Sequence, residues 1–274
     1  MLSPLARQLV YATAALYALL GLILFILPNW AAPRFAWNVS PFVAMTIGGW
    51  CLGNGFAAYV VAKRWRFSLG ASGLTYLALF GVLETGVALT FADKLKLGHW
   101  LGWLYVTTLA VNLTAAAVYI RDVFAMRPRI ETLGRKSGAV DLTIGVIFIL
   151  FVGFLGLYGL LAAPDGRGLH GGIFPEILTP FSLRAFGAFY LAIALTPISL
   201  LIIRGVDTAL SHMYLSWPLI FFITLAAFVF IGVFDFSNRP GQLLYIGVYL
   251  LVAAWTGFYL LREGTGDGSL RGQP

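Results

Sequence analysis

Apolar residues run along this chain in long unbroken blocks. Eight blocks reach the length of a membrane crossing: Leu9–Leu27, Phe42–Val61, Phe67–Phe91, Trp100–Ile120, Val140–Leu161, Phe181–Ile203, Ala209–Phe234 and Leu243–Leu261. A helix rises about 1.5 Å per residue, so about 20 apolar residues cross the hydrocarbon core of a bilayer. None of the blocks shows the polar stripe of a half-wetted helix, and helices apolar on all sides read as lipid-embedded. The first block is too long for the h-region of a signal peptide, about 7–15 residues, and reads as a span. Punctuation falls between the blocks: Pro28 and Pro33, Lys63-Arg64-Trp65-Arg66, Asp93 to His99, Pro164-Asp165-Gly166 and Arg239-Pro240-Gly241. The pattern predicts an all-α integral membrane protein with eight transmembrane helices.

Composition agrees. Hydrophobic residues make up 60% of the 274 and charged residues 11%, against about 25% charged in a soluble domain. A net charge of +7 could mean an acidic partner, but no basic stripe lies on a polar surface, which excludes a nucleic-acid binder. The charges sort by side instead. Arg7, Lys63, Arg64, Arg66, Arg121, Arg127, Arg129, Arg135, Lys136, Arg204, Arg262 and Arg271 fall with the N-terminus; Arg34, Lys94, Lys96, Arg167 and Arg239 fall opposite. The positive-inside rule then predicts a multi-pass cell-membrane protein with both termini cytoplasmic. Trp30, Trp37, Trp100 and Trp103 gather at the outer interface, the depth indole prefers. The single cysteine, Cys51, has no partner for an intramolecular disulfide.

The two halves echo each other. Ala31-Ala32-Pro33 is matched by Ala162-Ala163-Pro164, and Ser40-Pro41-Phe42 by Thr179-Pro180-Phe181. Ile47-Gly48-Gly49-Trp50 faces Phe186-Gly187-Ala188-Phe189 at an offset of 139 positions. Tyr119-Ile120-Arg121-Asp122 pairs with Leu260-Leu261-Arg262-Glu263. Four helices per half is an even number, so both halves enter from one side, as parallel repeats about an axis along the membrane normal. The predicted domains are a four-helix repeat over 1–121, a basic cytoplasmic linker over 122–138, a second repeat over 139–263 and a disordered tail over 264–274.

Leu27-Pro28 with Pro41 to Gly49, and Pro180-Phe181-Ser182-Leu183-Arg184-Ala185-Phe186-Gly187-Ala188, make each half resemble the DoxX-like four-helix membrane proteins. In that group the first helix ends at proline, and the second opens with a polar residue followed by small ones. Met45 departs from the pattern, standing where Arg184 stands in the second half. The resemblance implies an architecture, a tandem duplication, and carries over no catalytic residue.

Ionisable groups inside a span cost about 2.5–3.5 kcal/mol each, so each needs a reason. Glu84 and Arg184 lie at a similar depth near the outer side, which predicts a cross-half ion pair or one shared polar cavity; a snorkelling Arg184 and a protonated or hydrogen-bonded Glu84 explain them equally. Asn54 and Asn112 fall mid-span, where amides glue helices together or bind ligand. Asp141 opens a helix and complements its dipole. His212, beside Ser211, is a lone histidine near a helix start. His99, His170, Asp93, Glu176 and Asp235 share the outer side without the spacing of a metal site, so no metal is expected, and the sequence names no cofactor. No phosphate-binding glycine loop and no Gly-x-Ser-x-Gly elbow occurs. Small residues at Gly49 and Gly53, Gly70 and Gly73, and Gly153, Gly156 and Gly159 predict close helix packing.

Three functions fit: binding or moving a small apolar or amphipathic molecule, lipid or quinone-like; serving as a structural or accessory subunit of a membrane complex; or a lipid-modifying membrane enzyme. The partners expected are accordingly the bilayer, a small hydrophobic ligand or other membrane subunits.

Overall fold

The computed structural model describes residues 2–128, 136–161, 174–198, 201 and 205–264. The Ala162-Ala163-Pro164 echo, Arg167, His170, Arg204, residues 129–135 of the linker and the tail beyond Gly264 lie outside the described residues. The long helices are α1 (Pro4–Ile26), α2 (Pro41–Arg64), α3 (Phe67–Thr90), α4 (Trp100–Met126), α5 (Ala139–Leu160), α6 (Pro180–Leu195), α7 (Val206–Val229) and α8 (Gln242–Gly264). Among the described residues there is no strand, only an isolated bridge between Lys136 and Gly205.

Among the described residues six helices are long and apolar enough to cross a membrane: Pro4–Ile26, Gly70–Thr90, Trp100–Met126, Ala139–Leu160, Thr208–Val229 and Gln242–Leu261. The blocks expected at Phe42–Val61 and Phe181–Ile203 do not join them. The first is a full-length helix, α2, but it carries Asn54, Thr46 and four glycines, Gly48, Gly49, Gly53 and Gly55. Most of α2 is buried, and a helix packed largely against protein needs less of an apolar lipid face. The second gives the shorter apolar helix Pro180–Leu195; Ser199, Leu200 and 202–204 lie outside the described residues.

Local signals set the helix starts. Ser3, Ser40 and Thr179 each accept a backbone N–H of the first turn (from Ala6, Val43 and Ser182), and each is followed by proline, whose fixed φ and missing N–H suit the first helical position. Asp141 caps α5 by accepting the Gly138 N–H at 2.9 Å, and also accepts the Tyr259 hydroxyl of α8. Helix α4 continues to Met126, so the first residues of the expected linker are helical. Asp122 is buried there, accepting the Ser3 N–H at 2.8 Å and pairing with Arg121 at 2.8 Å.

Glycines let backbones touch. A Cβ on Gly48 would stand 2.6 Å from the Phe25 nitrogen of α1, and one on Gly21 2.8 Å from the Leu52 nitrogen of α2. Between α5 and α6, a Cβ on Gly187 would stand 2.4 Å from the Leu160 nitrogen, and one on Gly156 2.6 Å from the Leu191 nitrogen. Helices α2 and α6 also cross over: α2 packs on α7, and α6 packs on α3. The cross-contacts are aromatic. Phe42 of α2 meets Phe230 at the end of α7 at 6.1 Å, and Phe181 of α6 stacks on Phe91 at the end of α3 at 5.1 Å. At the centre, Trp50 of α2 lies flat on Phe189 of α6, with ring centroids 4.5 Å apart and planes 9° apart.

The tryptophans divide. Trp30 and Trp100 are exposed and 6.2 Å apart, as an interfacial pair would be. Trp37 is buried instead, donating from Nε1 to Ser182 Oγ at 2.9 Å and stacking on Phe181 at 4.2 Å. It serves as a joint between the halves. Ser40 donates its hydroxyl to Glu176 at the same seam.

Candidate functional site

The inward face of α3 carries Tyr76, Phe80 and Glu84, four residues apart and therefore stacked on one stripe. Each meets a group from another helix. The Tyr76 hydroxyl donates to Asn54 Oδ1 of α2 at 2.8 Å. Phe80 lies between Tyr17 of α1 and Phe189 of α6, each at 6.3 Å. Glu84 Oε1 accepts from the Tyr105 hydroxyl of α4 at 2.8 Å. Asn112 of α4 donates from Nδ2 to the Tyr17 hydroxyl and to the Leu77 carbonyl, both at 3.0 Å, which ties α4 to α1 and α3. Gly81 makes room for that amide: a Cβ there would stand 2.6 Å from Asn112 Nδ2.

These groups are deeply buried, with Glu84 2% exposed, Asn112 1%, Trp50 1% and Asn54 0%. Buried polar groups normally find partners, and an unpaired one costs about 1–3 kcal/mol. Three here do not: Trp50 Nε1, Asn54 Nδ2 and Glu84 Oε2. Trp50 and Asn54 are one turn apart on the same face of α2. Since Asn54 sits opposite Tyr76 on the antiparallel α3, Trp50 is level with Phe80, and Glu84 lies one turn beyond. The unpaired groups thus fall at successive levels, a ladder of two donors on α2 and an acceptor on α3 with levels four residues, or about 6 Å, apart, and the rings of Phe186, Phe189 and Phe80 pack at the Trp50 level. Trp50 meets Phe186 edge-on at 4.6 Å.

Arg184 is half-buried, and its guanidinium lies over the Phe91 ring at 5.4 Å. It therefore reaches the helix of Glu84, two turns along, and not the carboxylate: among the described residues no ion pair joins Glu84 and Arg184. The cation has an aromatic face to rest on instead. Asn54 and Asn112, unlike Arg184, share the interior with Glu84. His212 and Asp141 belong to other parts of the molecule, and among the described residues no three His, Cys, Asp or Glu side chains cluster to hold a metal ion.

Reading from the chain alone missed Tyr17, Tyr76, Tyr105 and Trp50. Their rings vanish into apolar blocks. The available signal was a polar-tipped aromatic in mid-block, one helical turn from Asn54 in the case of Trp50. Comparison with known protein families, curated proteins and solved structures finds no match for this chain.

Proposed function

We propose that this chain is a polytopic membrane protein that binds or moves one small amphipathic molecule, lipid-like or quinone-like, whose polar head is held among Trp50, Asn54 and Glu84. The observation that carries the reading is the ladder of buried, unpaired donors and acceptor. Two N–H donors suit a carbonyl or phosphoryl oxygen, and a carboxyl oxygen suits a hydroxyl. Aromatic walls suit the apolar part of such a molecule. The interior is packed, so binding opens it, and the polar head replaces partners that these groups otherwise lack.

The same proposal takes the eight long helices as eight spans and the chain as two parallel repeats, each akin to a DoxX-like unit, with both termini cytoplasmic. Element boundaries support the repeat. Helices α2 and α6 start, and α3 and α7 start and end, 139 positions apart, and each of the latter pair leads into a one-turn 3-10 helix at the same offset, Ala92–Lys94 and Ile231–Val233. The contacts support it too. Phe42 with Phe230 and Phe181 with Phe91 are one contact exchanged between halves, and Trp50 and Phe189, which stack, occupy equivalent positions. The halves differ in chemistry: Glu84, Asn54 and Tyr76 correspond to Ile223, Ile193 and Leu215. On this reading the first half carries the ladder, and the second half supplies a wall.

Purification of the full chain in mild detergent, with organic extraction and mass spectrometry, tests the reading. A lipid or quinone recovered in stoichiometric amount with wild type and depleted with Glu84→Gln supports it. A stable co-purifying protein, with extracts matching bulk lipid, supports the accessory-subunit reading instead.

A further inference from the structure

At the end of the bundle that holds the N-terminus, α1 and α2 run antiparallel and present matching pairs. Arg7 stands one turn from Tyr11 on α1, with its guanidinium 5.8 Å from the ring centroid. Lys63 stands one turn from Tyr59 on α2, with its ammonium 5.7 Å from that ring. The two tyrosines meet edge to face at 6.3 Å, and Arg7 is tied to the end of α2 by Nε donating to the Ala62 carbonyl at 2.8 Å. The four side chains make a quartet: two cations side by side at the rim, two phenols one turn deeper, all of them exposed. Arg64 repeats the device over Tyr214 of α7 at 5.5 Å.

Among the described residues neither Arg7 nor Lys63 pairs with a carboxylate, and Asp122 is buried and occupied by Ser3 and Arg121. Below the quartet, α1 continues outward-facing and apolar through Leu19, Leu22 and Ile26. Cations at the rim, hydroxyls one turn in and a hydrocarbon stripe beneath match the order of groups in a phospholipid.

We infer that the Arg7–Tyr11–Tyr59–Lys63 quartet is a binding site for an anionic phospholipid, with the phosphate on the two cations and the acyl chains along the exposed stripe of α1. The site is separate from the interior ladder and stands whether or not that ladder binds a ligand. Holding the cations over tyrosine rings limits their freedom beforehand, so less is lost on binding.

The test uses the full chain in mild detergent, titrated with phosphatidylglycerol or with phosphatidylcholine of the same acyl chains, followed by native mass spectrometry and thermal unfolding. Phosphatidylglycerol is expected to bind and raise the unfolding midpoint, less so at high salt, and phosphatidylcholine to do neither. Each cation near an anionic surface contributes about fivefold in affinity, so Lys63→Gln is expected to weaken phosphatidylglycerol binding about fivefold, and Arg7→Gln with Lys63→Gln more than tenfold. Tyr11→Phe with Tyr59→Phe, which keeps both rings, is expected to weaken it further than detergent background. If Arg7→Gln unfolds the chain by losing its bond to Ala62, Lys63→Gln alone decides. Equal binding of both lipids, unchanged binding by Lys63→Gln, or an equal stabilisation by inorganic phosphate, which would mark a free-anion site, overturns the inference.

Discussion

Replacing Gly187 with alanine adds one methyl group where two helix backbones touch. Its Cβ would stand 2.4 Å from the Leu160 nitrogen, 2.7 Å from the Gly159 carbonyl carbon and 2.8 Å from the Gly156 oxygen. All three atoms are backbone, so no side chain can rotate away, and α5 and α6 must separate along their seam. Overpacking of a rigid site costs about 1–3 kcal/mol, and backbone on every side argues for the upper end. Alanine recovers about 1 kcal/mol of helix propensity over glycine. The expected net loss is about 2 kcal/mol, or more than tenfold in the unfolding constant. Gly86→Ala is the matched control: a Cβ there meets nothing within 4 Å, so only the propensity gain remains and the variant is expected to be slightly stabilised. Both are measured by reversible denaturant titration in mixed micelles, followed by tryptophan fluorescence. If Gly187→Ala is as stable as wild type while Gly86→Ala behaves as expected, the close α5–α6 contact is wrong.

Further outcomes follow from the interior. Asn112→Leu removes two donated bonds that join three helices, and at about 0.6–1.7 kcal/mol per bond in a membrane it is expected to cost about 1–3 kcal/mol by the same titration. Glu84→Gln with Arg184→Met, compared with each single variant, is expected to show a coupling below about 0.5 kcal/mol, because the two side chains do not pair; a coupling above 1 kcal/mol would restore the ion pair. Cys51 is buried, so a maleimide is expected to leave it unlabelled in the folded chain and to label it fully in denaturant, read by intact mass. Trp37→Phe keeps the stack on Phe181 but loses the bond to Ser182, and is expected to cost about 1 kcal/mol.

The helices were legible in the sequence because lipid-facing residues must be apolar for a whole crossing, and α1 or α5 can hardly be read otherwise. Helix α2 was legible as a helix but misleading as a plain span, because burial within protein permits the amide and glycines that α2 carries. The glycines at Gly156, Gly159 and Gly187 announced close packing, though not which helix each would meet. Among the polar residues, Glu84, Asn54 and Asn112 were visible by their cost in lipid. Their partners Tyr105, Tyr76 and Tyr17 were not, since a tyrosine in an apolar block looks like any other ring until a second helix brings it an acceptor. Arg184 was visible by its cost in lipid, but depth along the membrane left open whether it would pair with Glu84, share a cavity with it or lie elsewhere; its guanidinium lies over the Phe91 ring. Trp37 was placed at the interface by residue type, while the Ser182 hydroxyl and the Phe181 ring drew it inside.

The ladder in the first half and its apolar counterpart, Ile223, Ile193 and Leu215, make a claim about number as well as place. Native mass spectrometry of the full chain released gently from detergent tests it most directly. The expected spectrum shows one small-molecule adduct per chain, resistant to lipid exchange, absent from Trp50→Phe with Glu84→Gln, and retained by Lys63→Gln. An adduct-free wild-type chain, two equivalent adducts, or an adduct that survives the Trp50 and Glu84 substitutions would contradict the proposal.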